Sequence, residues 1–392
     1  MSHRHFSRRE FIHRGLVFAA GSPLAMHVAQ GRLLAAEPAA AAPRRADAKV
    51  AITACRGYGA EVKPALAKCF DLLGGVGSLV KNKTVTIKIN LTGTNFTPYL
   101  GRPVGETFMT HYDTALALAS LLLAEGAKRV RFVESTQSRA NLTTSLNYAD
   151  WDVKSLENLG KVEFENTRNL GSGKNYAHLP VPGGGHAFSS LDLNQSYSDT
   201  DVMVSLAKLK NHITAGVTLT MKNMFGITPN SLYGGAAGSE DALEGRQPLH
   251  DPRGFEKIKI PGLKSSVTSV DSTWRVPRMV ADICAARPIH LAIIDGVYSM
   301  EGGELPSRNP AQGASNPLHP GVLIAGLNPV CTDAVGTAVM GYADPRALRG
   351  TKPFNLCDNH LLLAEQSGVG CADLAQIDVR GMTIEKARYP YS

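Results

Sequence analysis

Apolar positions along this chain switch repeatedly between a period of two and a helical period. Val50–Ala54 reads as a strand, Pro64–Leu73 as a helix, and Thr84–Leu91 (TVTIKINL) as a second strand. A Gly- and Thr-rich loop runs to His111, and Thr114–Ala124 is a strongly apolar helix closed by Glu125-Gly126. Arg129–Glu134 (RVRFVE) is the next strand. Short strands follow at Val162–Glu165 and Leu179–Val181, with a Pro182-Gly183-Gly184-Gly185 turn after them. Val202–Leu206 has the continuous apolar character of a buried strand, and a helical run containing Gly216 follows it. Regularity resumes with a helix at Arg278–Ala286 and strands at His290–Asp295 and Val322–Ala325. Helices at Cys331–Met340 and Asn359–Gln366 and a strand at Ile377–Val379 complete the pattern. Alternation of strand and helix predicts an α/β fold, a mainly parallel sheet with helices on both faces. It spans residues 49–381, as one domain or as two lobes divided at 226–272. That segment is irregular and rich in Gly, Ser and Pro, as expected of an insertion or lid.

The first 42 residues have a different character. Ser7-Arg8-Arg9-Glu10-Phe11-Ile12 precedes a weakly apolar run and an alanine-rich linker, which resembles a bacterial twin-arginine signal. The expectation is export of a folded protein to the periplasm or beyond, with the twin-arginine translocation machinery as a partner. The run is too short and polar to remain as a membrane span in the mature form. Residues 1–36 hold five arginines and one acid, a net of +4, so a form beginning at Glu37 keeps +3 of the chain's +7. No Lys/Arg run with interleaved aromatics lies in the body, which argues against nucleic-acid binding. The six cysteines lack CxxC spacing, so neither a structural zinc nor an iron–sulfur cluster motif is present. Cys357 and Cys371 are the nearest late pair for a disulfide.

Candidate chemistry concentrates in DVMVSLAKLKNHITAGVTLTMKNMFGITP, Asp201–Pro229. Lys208, Lys210 and His212 alternate directly after the apolar strand, and the following run delivers Lys222 and Asn223. Ligands of α/β folds sit at such strand ends. Read plainly, these lysines belong to a solvated loop. Lys222 and Asn223, however, lie on an apolar run (Val217, Leu219, Met221, Met224, Phe225), so burial is expected, and a buried lysine needs a partner or a function. The pattern suits a small anionic ligand, carboxylate or phosphate, beside a titratable imidazole.

Other strands also end in polar groups: Asn90 after TVTIKI, Glu134 after RVRFV, Asp295 after HLAII. Asp333 follows GVLIAG in the first turn of a helix, where a capping role competes with a functional one. Glu301 and Glu304 stand in a glycine-flanked loop, and with Asp333 they suit a divalent cation such as Mg²⁺, although no known metal-loop spacing is present. His250 in the 226–272 segment is placed to close over a pocket as a second acid/base or ligand contact. No GxSxG, strand-borne GxGxxG or Cys/His nucleophile signature appears. The expectation is one site with His212, Lys222 and Asp295 in catalytic roles. Asn90, Lys208, Lys210, Asn223 and His250 would bind substrate, and Glu301 and Asp333 would hold a metal. Lys208, His212, Lys222, Asn223, Asp295 and Asp333 would have to converge.

The order AEGAKRVRFVES, DVMVSLAKLKNH, GVTLTMKNMFG, IIDGVYSMEGGE and GVLIAGLNPVCTDAVGTAVMG resembles the bacterial and archaeal domain-of-unknown-function family 362 over roughly Lys49–Gly381. K-x-K-x-H followed by K-N-x-F-G is the most specific part. Polar positions matching the family pattern are Lys88, Asn90, Glu134, Lys208, Lys210, His212, Lys222, Asn223, His250, Asp295, Glu301 and Asp333. The resemblance implies no settled reaction. Some members carry added ferredoxin-like cysteine clusters, which this chain lacks. Three functions follow in order: an enzyme on a small anion using acid/base or metal-assisted chemistry, an exported solute- or cofactor-binding protein without turnover, and a redox or iron–sulfur-associated protein.

Overall fold

Strands β1 (Lys49–Ala54), β2 (Thr84–Lys88), β3 (Arg129–Glu134), β4 (Val162–Asn166), β7 (Val202–Lys208), β10 (Leu291–Gly296), β11 (Val322–Gly326) and β12 (Asp378–Gly381) build one sheet, ordered β12-β1-β11-β10-β7-β2-β3-β4. The computed structural model describes residues 47–94, 98, 101–137, 140–251, 259–302 and 318–391. The twin-arginine motif and linker, Glu304, and residues 252–258 of the irregular segment lie outside the described residues. Residues 42–392 form one compact unit. Parallel pairing joins β12 to β1 and links β10, β7, β2, β3 and β4. Only β11 runs against its neighbours, between β1 and β10. The protein is therefore an α/β fold with a mostly parallel sheet. Two small hairpins stand outside it: β5 (Ala177–Pro180) with β6 (Ser190–Leu193), and β8 (Asn211–His212) with β9 (Gly216–Val217).

Strand alternation sends side chains to two cores. Val85 and Ile87 of β2, Val202, Val204 and Leu206 of β7, and Leu291 and Ile293 of β10 pack against helices α1 (Val62–Leu73) and α2 (Tyr112–Ala124). On the other face, Met203 and Ile294 join α3 (Leu219–Asn223), α5 (Ser272–Ala286), α6 (Pro329–Val339) and α7 (His360–Gln366). A further short helix, α4 (Gln247–His250), lies in the irregular segment. Helix α6 starts where Asn328 accepts the Val330 and Cys331 N–H groups and Pro329 occupies the first turn. Asp282 of α5 accepts the His186, Ala187 and Phe188 N–H groups, and so fixes the end of the triple-glycine turn.

Two local expectations change. The helical run after β7 is shorter than its apolar pattern suggested. The chain first makes the β8–β9 hairpin, and helix begins only at Leu219. Gly216 explains this: its φ is +75°, and a Cβ there would lie 2.7 Å from the Phe354 ring. The late cysteine pair is not a disulfide, as Cys357 and Cys371 are both free, buried thiols. Each instead behaves as a small packing group.

Candidate functional site

Connections diverge between β2 and β7. From β2 the chain passes through α2 to β3, while from β7 it passes through α3 and α5 to β10 on the opposite side and the opposite face. Such a switch point leaves a crevice at the carboxyl ends of the strands. A cavity of about 260 Å³ lies there, lined among others by Lys88, Asn90, Glu134, His212, Lys222, Asn223, Arg246 and His250.

The cavity floor is a satisfied polar network. Register pairs Lys88 with Ser205. Lys88 Nζ lies 2.6 Å from Glu134 Oε1, both side chains being 2 % exposed. Glu134 Oε2 accepts the Leu91 N–H at 2.7 Å. Burial raises the Glu134 carboxyl above its ordinary range, an effect that Lys88 opposes. Asn223 ties the strands together: its Nδ2 donates to Lys88 O at 3.1 Å, Ser205 Oγ at 3.0 Å and Leu206 O at 3.4 Å. Its Oδ1 accepts from Asn90 Nδ2 at 3.2 Å and from Lys88 Nζ at 3.5 Å. Gly226 follows on the same segment, and a Cβ there would lie 2.9 Å from Lys88 Nζ, so a larger residue would push on the lysine of the ion pair. Buried Arg246 donates from Nη1 to Ser135 Oγ at 2.9 Å and to Thr228 O and Asn230 Oδ1, each at 3.0 Å.

The walls carry the titratable groups. His212 Nδ1 accepts the Thr214 N–H at 3.1 Å, which leaves the ring proton of the neutral imidazole on Nε2. The His212 and His250 rings face each other with centroids 6.2 Å apart and planes 26° from parallel. Phe225 backs His250 at 4.3 Å, and its ring lies 4.4 Å from Lys222 Nζ. Beneath them His360 is fully buried, and its pKa is pushed down to about 3 by burial and by Lys222 and His212. Lys222 and Asn223 ride on α3, whose first residue, Leu219, holds a strained φ of +39°.

The expected convergence of six groups does not occur. Lys208 and Asp295 are paired by register and point to the α1/α2 face, away from the cavity. Lys208 Nζ donates to Tyr58 OH at 2.7 Å and to Gly105 O at 3.2 Å, and lies 3.4 Å from Asp295 Oδ2. Asp295 also accepts from Tyr58 OH at 3.0 Å, Thr114 Oγ1 at 3.0 Å and the Val297 N–H at 3.1 Å. Burial lowers the Lys208 pKa, and Asp295 opposes this. Lys210 Nζ donates to Phe108 O at 3.2 Å, and Lys210 does not line the cavity. Strand period is the reason: Lys208 shares the face of Leu206 and Val204, not that of Ser205.

Asp333 also stands apart. Both its oxygens cap the start of α3, accepting from the Thr220 N–H at 2.9 Å, Thr220 Oγ1 at 2.6 Å and the Met221 N–H at 2.8 Å. Burial pushes its pKa up to about 7, while these donors favour the carboxylate. Glu301 does not line the cavity either, and among the described residues no three His, Cys, Asp or Glu side chains are grouped to hold a metal ion.

Lys88 and Glu134 entered the sequence reading only as strand-end or pattern residues, although the strands that bear them were evident. Arg246, Thr92 and Tyr58 were missed. Arg246 stands one residue before the Gln247–His250 turn, and nothing local marks it as buried.

Among curated proteins, none matches this chain. Two solved structures are similar to parts of this chain at low identity. One is a protein from Thermotoga maritima at 16 % identity, with 62 % of this chain and 50 % of that one covered and a TM-score of 0.33. The other is the lactate racemase apoprotein from Thermoanaerobacterium thermosaccharolyticum at 14 % identity, with 71 % and 54 % covered and a TM-score of 0.36. The chain spans about half the length of each. The model of the domain of unknown function DUF362 matches residues 85–338, which include most of β2, all of β7, the K-x-K-x-H and K-N-x-F-G segments and most of α6, and the chain belongs to that family.

Proposed function

We propose that this protein is an enzyme acting on a small organic anion by acid–base chemistry in the cavity at the β2/β7 crevice. The observation that carries this reading is the meeting of two imidazoles, 6.2 Å apart, with Lys222 around one cavity, His212 and Lys222 coming from the stretch after β7 and His250 from the irregular segment. Lys222 supplies positive charge for a carboxylate or phosphate. His212 presents Nε2–H to a substrate oxygen, and His250 is the second group able to exchange a proton. Asn223, Lys88 and Glu134 hold the floor rigid. Lys208, Lys210 and Asp295 have structural roles here.

Incubation with a panel of small carboxylates and phosphorylated compounds in D₂O tests this, with NMR reading new products and exchanged C–H positions. The expected result is turnover or exchange of one class, lost in His212→Gln and His250→Gln with affinity held within a few-fold. Tight binding with the compound recovered unchanged would favour the alternative, a binding protein without turnover.

We also propose export by the twin-arginine route, on the strength of the Ser7–Ile12 motif. Fractionation of cells carrying Arg8→Lys/Arg9→Lys should show the protein retained in the cytoplasm. Unchanged export in that variant would refute the proposal.

A further inference from the structure

The orientation of one amide in the cavity carries information about the ligand. Asn223 Nδ2 is surrounded by three acceptors: Lys88 O, Ser205 Oγ and Leu206 O. Exchanging its oxygen and nitrogen would set an oxygen against two carbonyls, so the Asn223 orientation is fixed by its surroundings. Its Oδ1 must therefore face Asn90 and Lys88. That in turn fixes Asn90, because an Asn90 oxygen turned toward Asn223 Oδ1 would oppose two acceptors. Asn90 Nδ2 points to Asn223, and Asn90 Oδ1 is left with no donor among the described residues. Asn90 is 9 % exposed and lines the cavity, as does Thr92, whose hydroxyl is likewise buried and without a hydrogen bond among the described residues. A buried acceptor without a donor is costly, and a ligand that donates to it recovers that cost.

The charge of the walls narrows what that donor is. Lys88, Lys222 and Arg246 face the cavity against Glu134 and Asp251, an excess of cations. An ammonium group would add to that excess, whereas a neutral hydroxyl would not. Resting on the anion-binding reading above, we infer that the ligand is a hydroxylated organic anion, and that Asn90 Oδ1 accepts a hydrogen bond from its hydroxyl while Lys222 takes the anionic group. Asn90 is then a specificity-determining residue. It separates a hydroxy acid or hydroxylated phosphate ester from the same anion lacking the hydroxyl, since a site built for a hydroxyl strongly rejects the analogue without it.

Calorimetric titration of the full chain with matched pairs tests this. One arm compares malate with succinate, and the other compares glycerol 3-phosphate with propyl phosphate. In whichever arm binds, the hydroxylated member should bind about ten- to a hundredfold more tightly. Asn90→Ala, checked by its melting curve, should bring that ratio to near one by weakening the hydroxylated member alone. Asn90→Ser serves if the alanine variant does not fold. Members of each pair binding within twofold in wild type, or Asn90→Ala weakening both equally, would overturn the hydroxyl assignment and leave the anion reading standing. No binding of any of the four compounds would overturn the anion reading and the assignment with it.

Discussion

Two buried lysine–carboxylate pairs sit at the carboxyl edge of the sheet, on opposite faces. In the first, Lys208 and Asp295 are linked through Tyr58, with Gly105 O, Thr114 and the Val297 N–H completing their contacts. Neither Lys208 nor Asp295 lines the 260 Å³ cavity. In the second, Lys88 and Glu134 are as deeply enclosed, yet they form the floor of a 260 Å³ cavity. The network around them ends in an amide oxygen with no donor among the described residues. Burial and charge alone therefore do not distinguish a scaffold from a site. What separates them is whether the hydrogen-bonding capacity is spent.

The largest expected effect belongs to the closed pair. Lys208→Met leaves Asp295 charged and enclosed, and should cost about 3–5 kcal/mol of folding stability. Denaturant melts measure this, and a loss below about 1 kcal/mol would remove Lys208 from the scaffold.

Asp333→Asn comes next. It replaces a carboxylate that takes three hydrogen bonds at the start of α3. A loss of about 1–3 kcal/mol is expected in the same melts. Because Lys222 and Asn223 ride on α3, anion affinity should fall as well. Stability and affinity moving together here would show how the scaffold supports the site.

A third prediction concerns pH. Buried His360 has a native pKa of about 3, below the ordinary imidazole value of about 6.5. The unfolded chain thus binds the proton first, so the contribution of His360 to stability is complete above about pH 6.5 and is lost as pH falls toward 3. The slope for one such group is at most about 1.4 kcal/mol per pH unit. Melts of wild type and His360→Leu between pH 7 and pH 4.5 should converge as acid is added. Parallel curves would mean that His360 does not stay neutral beneath Lys222 and His212.

The sheet was largely legible in the sequence, because buried parallel strands are continuous apolar runs with polar ends. β3 (Arg129–Glu134) is the strand that RVRFVE predicted, and β10 differs by one residue at each end. The site was legible only as a set of strand-end residues. Which face each takes depends on registers between distant strands, Lys88 with Ser205 and Lys208 with Asp295, and no local pattern encodes them. Grouping Lys208 with His212 by closeness in sequence overlooked that a strand turns alternate residues to opposite faces. Arg246 was hidden for a related reason, as its partners Ser135 and Asn230 belong to other segments.

Substitution of Lys222 in the cavity wall should have the smallest effect on stability and the greatest on binding. Lys222→Met keeps the side-chain length and its packing on Phe225, so the variant should fold and lose less stability than Lys208→Met. The decisive measurement is one calorimetric titration, with malate and glycerol 3-phosphate, run on wild type, Lys222→Met and folded Lys208→Met. The account predicts that Lys222→Met loses at least about tenfold in affinity while Lys208→Met binds like wild type. Equal losses in both variants, or a loss confined to Lys208→Met, would contradict it.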